Sequence, residues 1–371
     1  MTFKLWKEGR SFSDSWKDNW KGTKGVVATV PKCGIKVLHE PHNAKVDLVF
    51  VHGITGHRDH TWSMYRSNEP WPKTILPPRI PEARILTFGY DASVIGFWRG
   101  VSGNSIGEHS NNLLSALSCC RSEDKARPII FIAHSLGGLV VKDTLLSSRT
   151  SPEPHLRQIL DSTWAILFLG TPHYGADLAD IGQRLIGFAG LTTARTNQRI
   201  VGVLQRDSEV LSRIQKGFQE LLRSQHQDGT RALEITCFYE ELPLMGMSEI
   251  VPSESAILHG YPAIGIHADH RNIARFASAD DPGFISVLGE LRRWIAQMAE
   301  VVDDNGDKGV WDIQKKRSSD LTLGHGWNDT KRADGEGGET DGTITIWGNV
   351  TKSVIANGNQ IIQGNLVFGS S

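Results

Sequence analysis

The segment Phe131-Ile132-Ala133-His134-Ser135-Leu136-Gly137-Gly138 sets a hydroxyl between an apolar run and the helical pattern Leu139-Val140-Val141-Lys142. A serine there, with small residues two before and two after it, suits a sharp strand-to-helix turn. Such a turn lifts the hydroxyl clear of a sheet and aims a helix N-terminus at a developing oxyanion. Ala133 stands where G-x-S-x-G has its first glycine and meets the same steric need, and Gly137 supplies the second. Taken alone, these residues also suit a plain turn without chemistry. With a base beside Ser135, the chemistry would be acyl transfer through an acyl-serine.

The other parts of such a site have identifiable places. Leu48-Val49-Phe50-Val51 runs into His52-Gly53-Ile54, a strand end suited to half of an oxyanion hole. The expected donors are the backbone N–H groups of Ile54 and Leu136. His52 reads as a loop-orienting residue rather than a proton carrier. The base should follow late in the chain, in the order serine, acid, histidine. His270, in Ala268-Asp269-His270-Arg271-Asn272-Ile273, sits between a short apolar run and the last helical pattern and is the expected base. His267 is the runner-up, and His259 reads as a surface loop residue. The run Ile235–Tyr239 ends in Glu240-Glu241-Leu242-Pro243, which offers the acid. Glu240 is favoured, then Glu241, then Glu249. Asp269 adjoins His270, and neighbouring side chains diverge. The mechanism calls for no metal and no organic cofactor.

Elements that could hold these residues follow from the apolar patterning. Runs at Val46–Val51, Arg84–Phe88, Pro128–Ala133, Ala165–Leu169, Glu234–Tyr239 and Ala263–His267 read as strands. Several are almost continuously apolar, as strands covered on both faces are. Glu108–Arg121, Gly137–Ser147, Ser208–Leu222 and Phe284–Met298 carry helical spacing. Strand alternating with helix predicts the α/β class: an α/β-hydrolase fold on a mostly parallel, doubly wound sheet. Asp177–Arg199 reads as a crossover helix in preference to a cap over the site.

Composition bounds the function. The chain has 371 residues, 39% hydrophobic, with 40 Lys plus Arg against 41 Asp plus Glu. A net charge of -1 supplies no field to recruit nucleic acid, so no nucleic-acid partner is expected. Cys33, Cys119, Cys120 and Cys237 match no metal spacing, and two are adjacent, which favours reduced thiols and a cytoplasmic setting. The N-terminal stretch lacks the apolar run of a secretory signal, and no run approaches the roughly 20 apolar residues of a membrane span. Trp6, Trp16 and Trp20 beside basic residues allow peripheral contact with a bilayer, although packing or a loose arm is preferred.

The expected organisation is an arm at 1–25, a hydrolase domain at 26–300, a linker at 301–340 and a tail motif at 341–371. The linker is dense in Asp, Gly, Lys and Glu without periodicity, too polar to offset the entropy of ordering. The tail is β-prone and proline-free, and Asp341 and Lys352 are its only charges. Gly348-Asn349, Gly358-Asn359 and Gly364-Asn365 supply turn dipeptides, and Ile344, Ile346, Val354, Ile361 and Val367 a stackable face.

Val49–Gly53, Thr61-Trp62, Trp71-Pro72 with Leu76-Pro77, Ala83–Tyr90 and Ala133–Gly138 resemble the serine-active-site-containing lipase-like proteins. So do Phe168–His173, Phe238-Tyr239-Glu240 and Asp269-His270-Arg271, and the likeness spans roughly residues 35 to 298. The resemblance implies an α/β hydrolase related to lipases and lipid-anchor deacylases, an ester or lipid substrate, and Glu240 over Glu241 as the acid. Some relatives resemble proteins linked to mitochondrial or endoplasmic reticulum membranes. The tail resembles the amyloid signalling motifs of fungal immune-type proteins, similar to the HET-s prion motif and its σ relative. That likeness implies self-assembly through 341–371, templated by a nucleotide-sensing receptor with a matching motif. Two other readings stand beside it: a signalling adaptor using the hydrolase fold as scaffold, and a housekeeping esterase with an irrelevant tail.

Overall fold

In a computed structural model, residues 33–54, 56–64, 67, 69–92, 105–173, 184, 194–227, 231–244 and 249–304 are described, with two dipeptides at 356–357 and 360–361. The expected arm, most of the linker and most of the tail lie outside the described residues, as does most of 177–193.

Seven strands form one sheet: β1 (Gly34–His39), β2 (Val46–Val51), β3 (Ala83–Gly89), β4 (Ile129–His134), β5 (Thr163–Leu169), β6 (Glu234–Glu240) and β7 (Ala263–Ile266). The spatial order is β1-β3-β2-β4-β5-β6-β7. All neighbours pair in parallel except β1, which runs antiparallel to β3. Helices lie between the strands, α1 (Trp71–Thr74), α2 (Ser105–Cys120), α3 (Gly137–Thr150), α4 (Pro154–Ser162), α5 (Ala194–Gln227) and α6 (Ser253–Ala256), and α7 (Pro282–Asp304) follows the last of them. A mostly parallel sheet wound in this order, with a strand-to-helix elbow at its centre, is the α/β-hydrolase arrangement.

Why the central strands read as unbroken apolar runs is plain from the two cores. Val49 and Val51 pack with α2, α3, α4 and α5 residues such as Leu113, Val140, Ile159 and Phe218. Val46, Leu48 and Phe50, the alternate positions of β2, pack with Trp71, Phe284, Leu291 and Trp294 from α1 and α7. Phe50 alone meets Trp62 and Trp71 edge-on at 5.0 and 5.3 Å.

One buried carboxylate fixes the register of the strands that matter most. Asp47 on β2 accepts from Arg84 of β3 at 2.7 and 2.9 Å, from Arg127 at 3.1 Å, and from Arg121. Paired and fully hydrogen-bonded, such a carboxylate is tolerable in a core; left with no guanidinium it would be costly.

The six strands expected from the sequence are present, each within two residues of its expected ends. β1 is an addition. It lies at the sheet edge with no fully buried position, so GIKVLH shows none of the continuous apolar character of its neighbours. α4 is also new: nine residues opening on Pro154 are too short for a clear helical period. α5 begins at Ala194, well before Ser208, and takes in the last six residues of the expected crossover helix at Asp177–Arg199, most of which lies outside the described residues.

The contacts separate a second unit, Ser319–Ser371, from the first, Met1–Ser318. Its described part is a two-residue antiparallel pairing of β8 (Ala356–Asn357) with β9 (Gln360–Ile361), on either side of Gly358-Asn359.

Candidate active site

The apolar strand β4 ends at His134, and α3 starts at Gly137, leaving Ser135 and Leu136 to make the bend. Ser135 takes φ of 55°, the sole positive φ of a non-glycine residue among the described residues. A left-handed backbone costs a residue with a Cβ about 1–2 kcal/mol, so its surroundings must hold it. They do: Ser135 N–H donates to Leu169 O at 2.9 Å, and Ser135 O accepts from Thr171 Oγ1 at 2.9 Å and Gly138 N at 3.0 Å. The β2 loop presses on the same bend. A Cβ on Gly137 would stand 2.4 Å from His52 O, and one on Gly53 would stand 2.6 Å from Ser135 Cβ. These contacts bar any larger residue at either position.

The structure brings together the three side chains singled out in the sequence. His270 Nε2 lies 2.9 Å from Ser135 Oγ. On the other side of the ring, Nδ1 lies 3.4 Å from Glu240 Oε2. Glu240 Oε1 accepts from Val251 N–H at 2.7 Å. All three residues are 1% exposed, so the contacts are shielded from water. Ile54 and Leu136 are buried beside the bend, at 4% and 3% exposure. Among the described residues, no protein acceptor takes either backbone N–H.

The competing residues are engaged elsewhere. Glu241 pairs with His267 at 3.4 Å on the surface, where their side chains are 43% and 79% exposed. Asp269 binds within its own turn, accepting from the N–H groups of Arg271 and Asn272 at 2.9 and 3.0 Å. Glu249 touches Arg184 through its backbone carbonyl at 2.7 Å. His52 stacks on Tyr90 with centroids 4.4 Å apart, and its carbonyl accepts from the Tyr90 hydroxyl at 2.6 Å. Burial pushes His52 down to about 4, so its ring is neutral and orients the loop.

Two further features lie outside the set of residues expected at the site. His134 Nε2 lies 2.8 Å from the carbonyl oxygen of His270. Beneath α3, buried Lys142 donates to Gln215 Oε1 at 2.7 Å and meets His173 Nδ1 at 2.8 Å. The rings of Phe168 and Phe218 each lie 5.4 Å from the same ammonium nitrogen. The only signal for Lys142 was its place two turns after Ser135, on an otherwise apolar helix face. All four cysteines are free thiols.

Residues 42–216 match the family model described as "Putative serine esterase (DUF676)". The serine-esterase match holds Ile54, Ser135 and Leu136 and ends before Glu240 and His270. Protein SERAC1 of Homo sapiens is 31% identical over 295 residues, covering 72% of this chain and 42% of that protein. Protein SERAC1 of Mus musculus is 31% identical over 275 residues, covering 67% and 39%. The chain thus spans about two-fifths of the length of these curated relatives. Among solved structures it is similar to Bacillus licheniformis lipase BlEst2 in mature form, with 17% identity and a TM-score of 0.41, over 68% of this chain and 97% of that one.

Proposed function

We propose that this chain is a serine acyl hydrolase of the lipase and esterase type, with Ser135 as nucleophile, His270 as general base and Glu240 as the triad acid. The observation that carries this reading is the 2.9 Å contact of His270 Nε2 with a serine hydroxyl held at positive φ. His270 takes the Oγ proton as Ser135 attacks an ester carbonyl. The N–H groups of Ile54 and Leu136 receive the oxyanion. His270 then returns its proton to the leaving alkoxide, and water, activated the same way, frees the acid and regenerates the serine. Glu240 holds the ring in the tautomer with hydrogen on Nδ1 and stabilises the imidazolium. The serine-esterase match supports an ester or lipid substrate.

The test is hydrolysis of p-nitrophenyl esters of increasing chain length. Ser135→Ala is expected to lower kcat by at least about 10³-fold. Equal turnover by both proteins would overturn the reading.

We further propose that assembly of residues 341–371, templated by a receptor with a matching motif, regulates the enzyme. The pairing across Gly358-Asn359 and the tail's β-prone composition support this. The setting we propose is the cytoplasm or the surface of a mitochondrial or endoplasmic reticulum membrane. No described helix is long and apolar enough to cross a membrane. A synthetic 341–371 peptide is expected to form fibrils with the spacing of about 4.7 Å between strands, and such seeds should change the hydrolase rate of the full chain. A peptide that stays soluble and monomeric would remove the regulatory part and leave the chemistry intact. Full biological output from Ser135→Ala, lost on deletion of 341–371, would instead assign a scaffold role.

A further inference from the structure

The geometry points to His134 as a positioning residue for the hydrolase chemistry, its side chain fixing the backbone of the base His270 relative to the nucleophile. This rests on the triad reading above and adds to it a tether that the triad does not contain. A carbonyl oxygen can only accept, so the 2.8 Å contact between His134 Nε2 and His270 O sets the proton of His134 on Nε2. The residue peptide-bonded to Ser135 thus holds the main chain of a residue 136 positions after it.

Three observations give this bond weight. Glu240 Oε2 is 3.4 Å from His270 Nδ1, too long for the acid alone to fix the ring against rotation and drift. The loop carrying His270 is also held on either side of it, so the bond completes a set of anchors: Leu242 N–H donates to Ala268 O at 3.2 Å, and Trp71 Nε1 to Ala274 O at 3.0 Å. Finally, His134 is only 8% exposed, and its ring centroid is 5.1 Å from that of His270. Burial and the neighbouring His270 push its pKa down to about 3, so it stays neutral while His270 is transiently cationic in turnover. A charged neighbour at that distance would oppose the imidazolium; a neutral donor does not.

The tether has a direct consequence for catalysis. Displacing a base by about 1 Å can cost on the order of 10²-fold in rate without weakening substrate binding. His134→Phe keeps an aromatic ring and removes the donor. His134→Asn keeps an amide too short to reach, and His134→Gln restores an N–H at about the reach of Nε2. Rates are taken per active site titrated with a fluorophosphonate, so an unfolded fraction does not enter. The Phe and Asn variants are expected to lose about 10- to 100-fold in kcat with KM within about threefold of wild type, and Gln to recover most of the loss. Should Phe fail to fold, the Asn–Gln pair decides alone. Wild-type kcat in Phe or Asn, or an equal loss in Gln, would overturn the tether. Failure of wild type to react with the fluorophosphonate would instead overturn the triad reading.

Discussion

Glu240 and Glu241 differ in nothing but the parity of their positions at the end of β6. The pleat sends the first under the loop that bears His270 and the second outward to His267. Glu240→Gln is therefore expected to lower kcat by about 10²- to 10⁴-fold, as loss of the acid in such a triad does, whereas Glu241→Gln should stay within about twofold. Reversed effects in a steady-state assay would assign the acid to Glu241. Ser135 and His270 were legible because each sits in a motif whose neighbours constrain it: Ala133 and Gly137 around the first, a strand end and a helix start around the second. The candidate acid was harder to single out, Glu240 being only favoured over Glu241, because strand parity depends on where pairing stops, and Glu240-Glu241 gives no local sign of that. The role of His134 was equally hidden, since its partner is a backbone atom that any residue at position 270 would offer.

At the scale of elements, the strands were legible because both sheet faces are covered and every position of β2, β3, β4 and β5 is buried. β1 escaped because an edge strand has half its surroundings missing. A polar bridge joins Lys142 on α3, His173 in the loop after β5 and Gln215 on α5, with Gln215 Nε2 donating to Pro172 O at 2.8 Å. Burial lowers Lys142 to about 7, while an unfolded lysine titrates near 10.5. Between those values the unfolded chain binds a proton that the folded chain does not, so stability should rise as pH climbs from about 7 toward 10.5. Lys142→Met should flatten that rise. The expected difference between the two proteins in stability gained from pH 7 to 9, read by urea unfolding, is on the order of 2 kcal/mol. Parallel slopes in the two proteins would mean that Lys142 stays charged in the fold.

For the whole molecule, buried neutral histidines set the acid limit. His52 falls to about 4 and His134 to about 3, and His173 is pushed well below its ordinary value, each mainly by burial. Below pH 6.5 the unfolded chain gains protons that these rings refuse, so stability should drop steadily from there down to about pH 4. His52→Asn should shallow that decline, and an unchanged acid transition would contradict the assignment. The tail follows a separate logic, since its proposed assembly depends on stacking between copies rather than on burial in one chain.

The central claim, that Ser135 is an activated nucleophile, has one direct measurement. The full chain is treated with a fluorophosphonate, and the modified peptide is located by mass spectrometry. The expected result is a single adduct on Ser135, absent in Ser135→Ala and formed at least about 10²-fold more slowly in His270→Ala. Labelling of Ser135→Ala equal to wild type, or no dependence on His270, would contradict it.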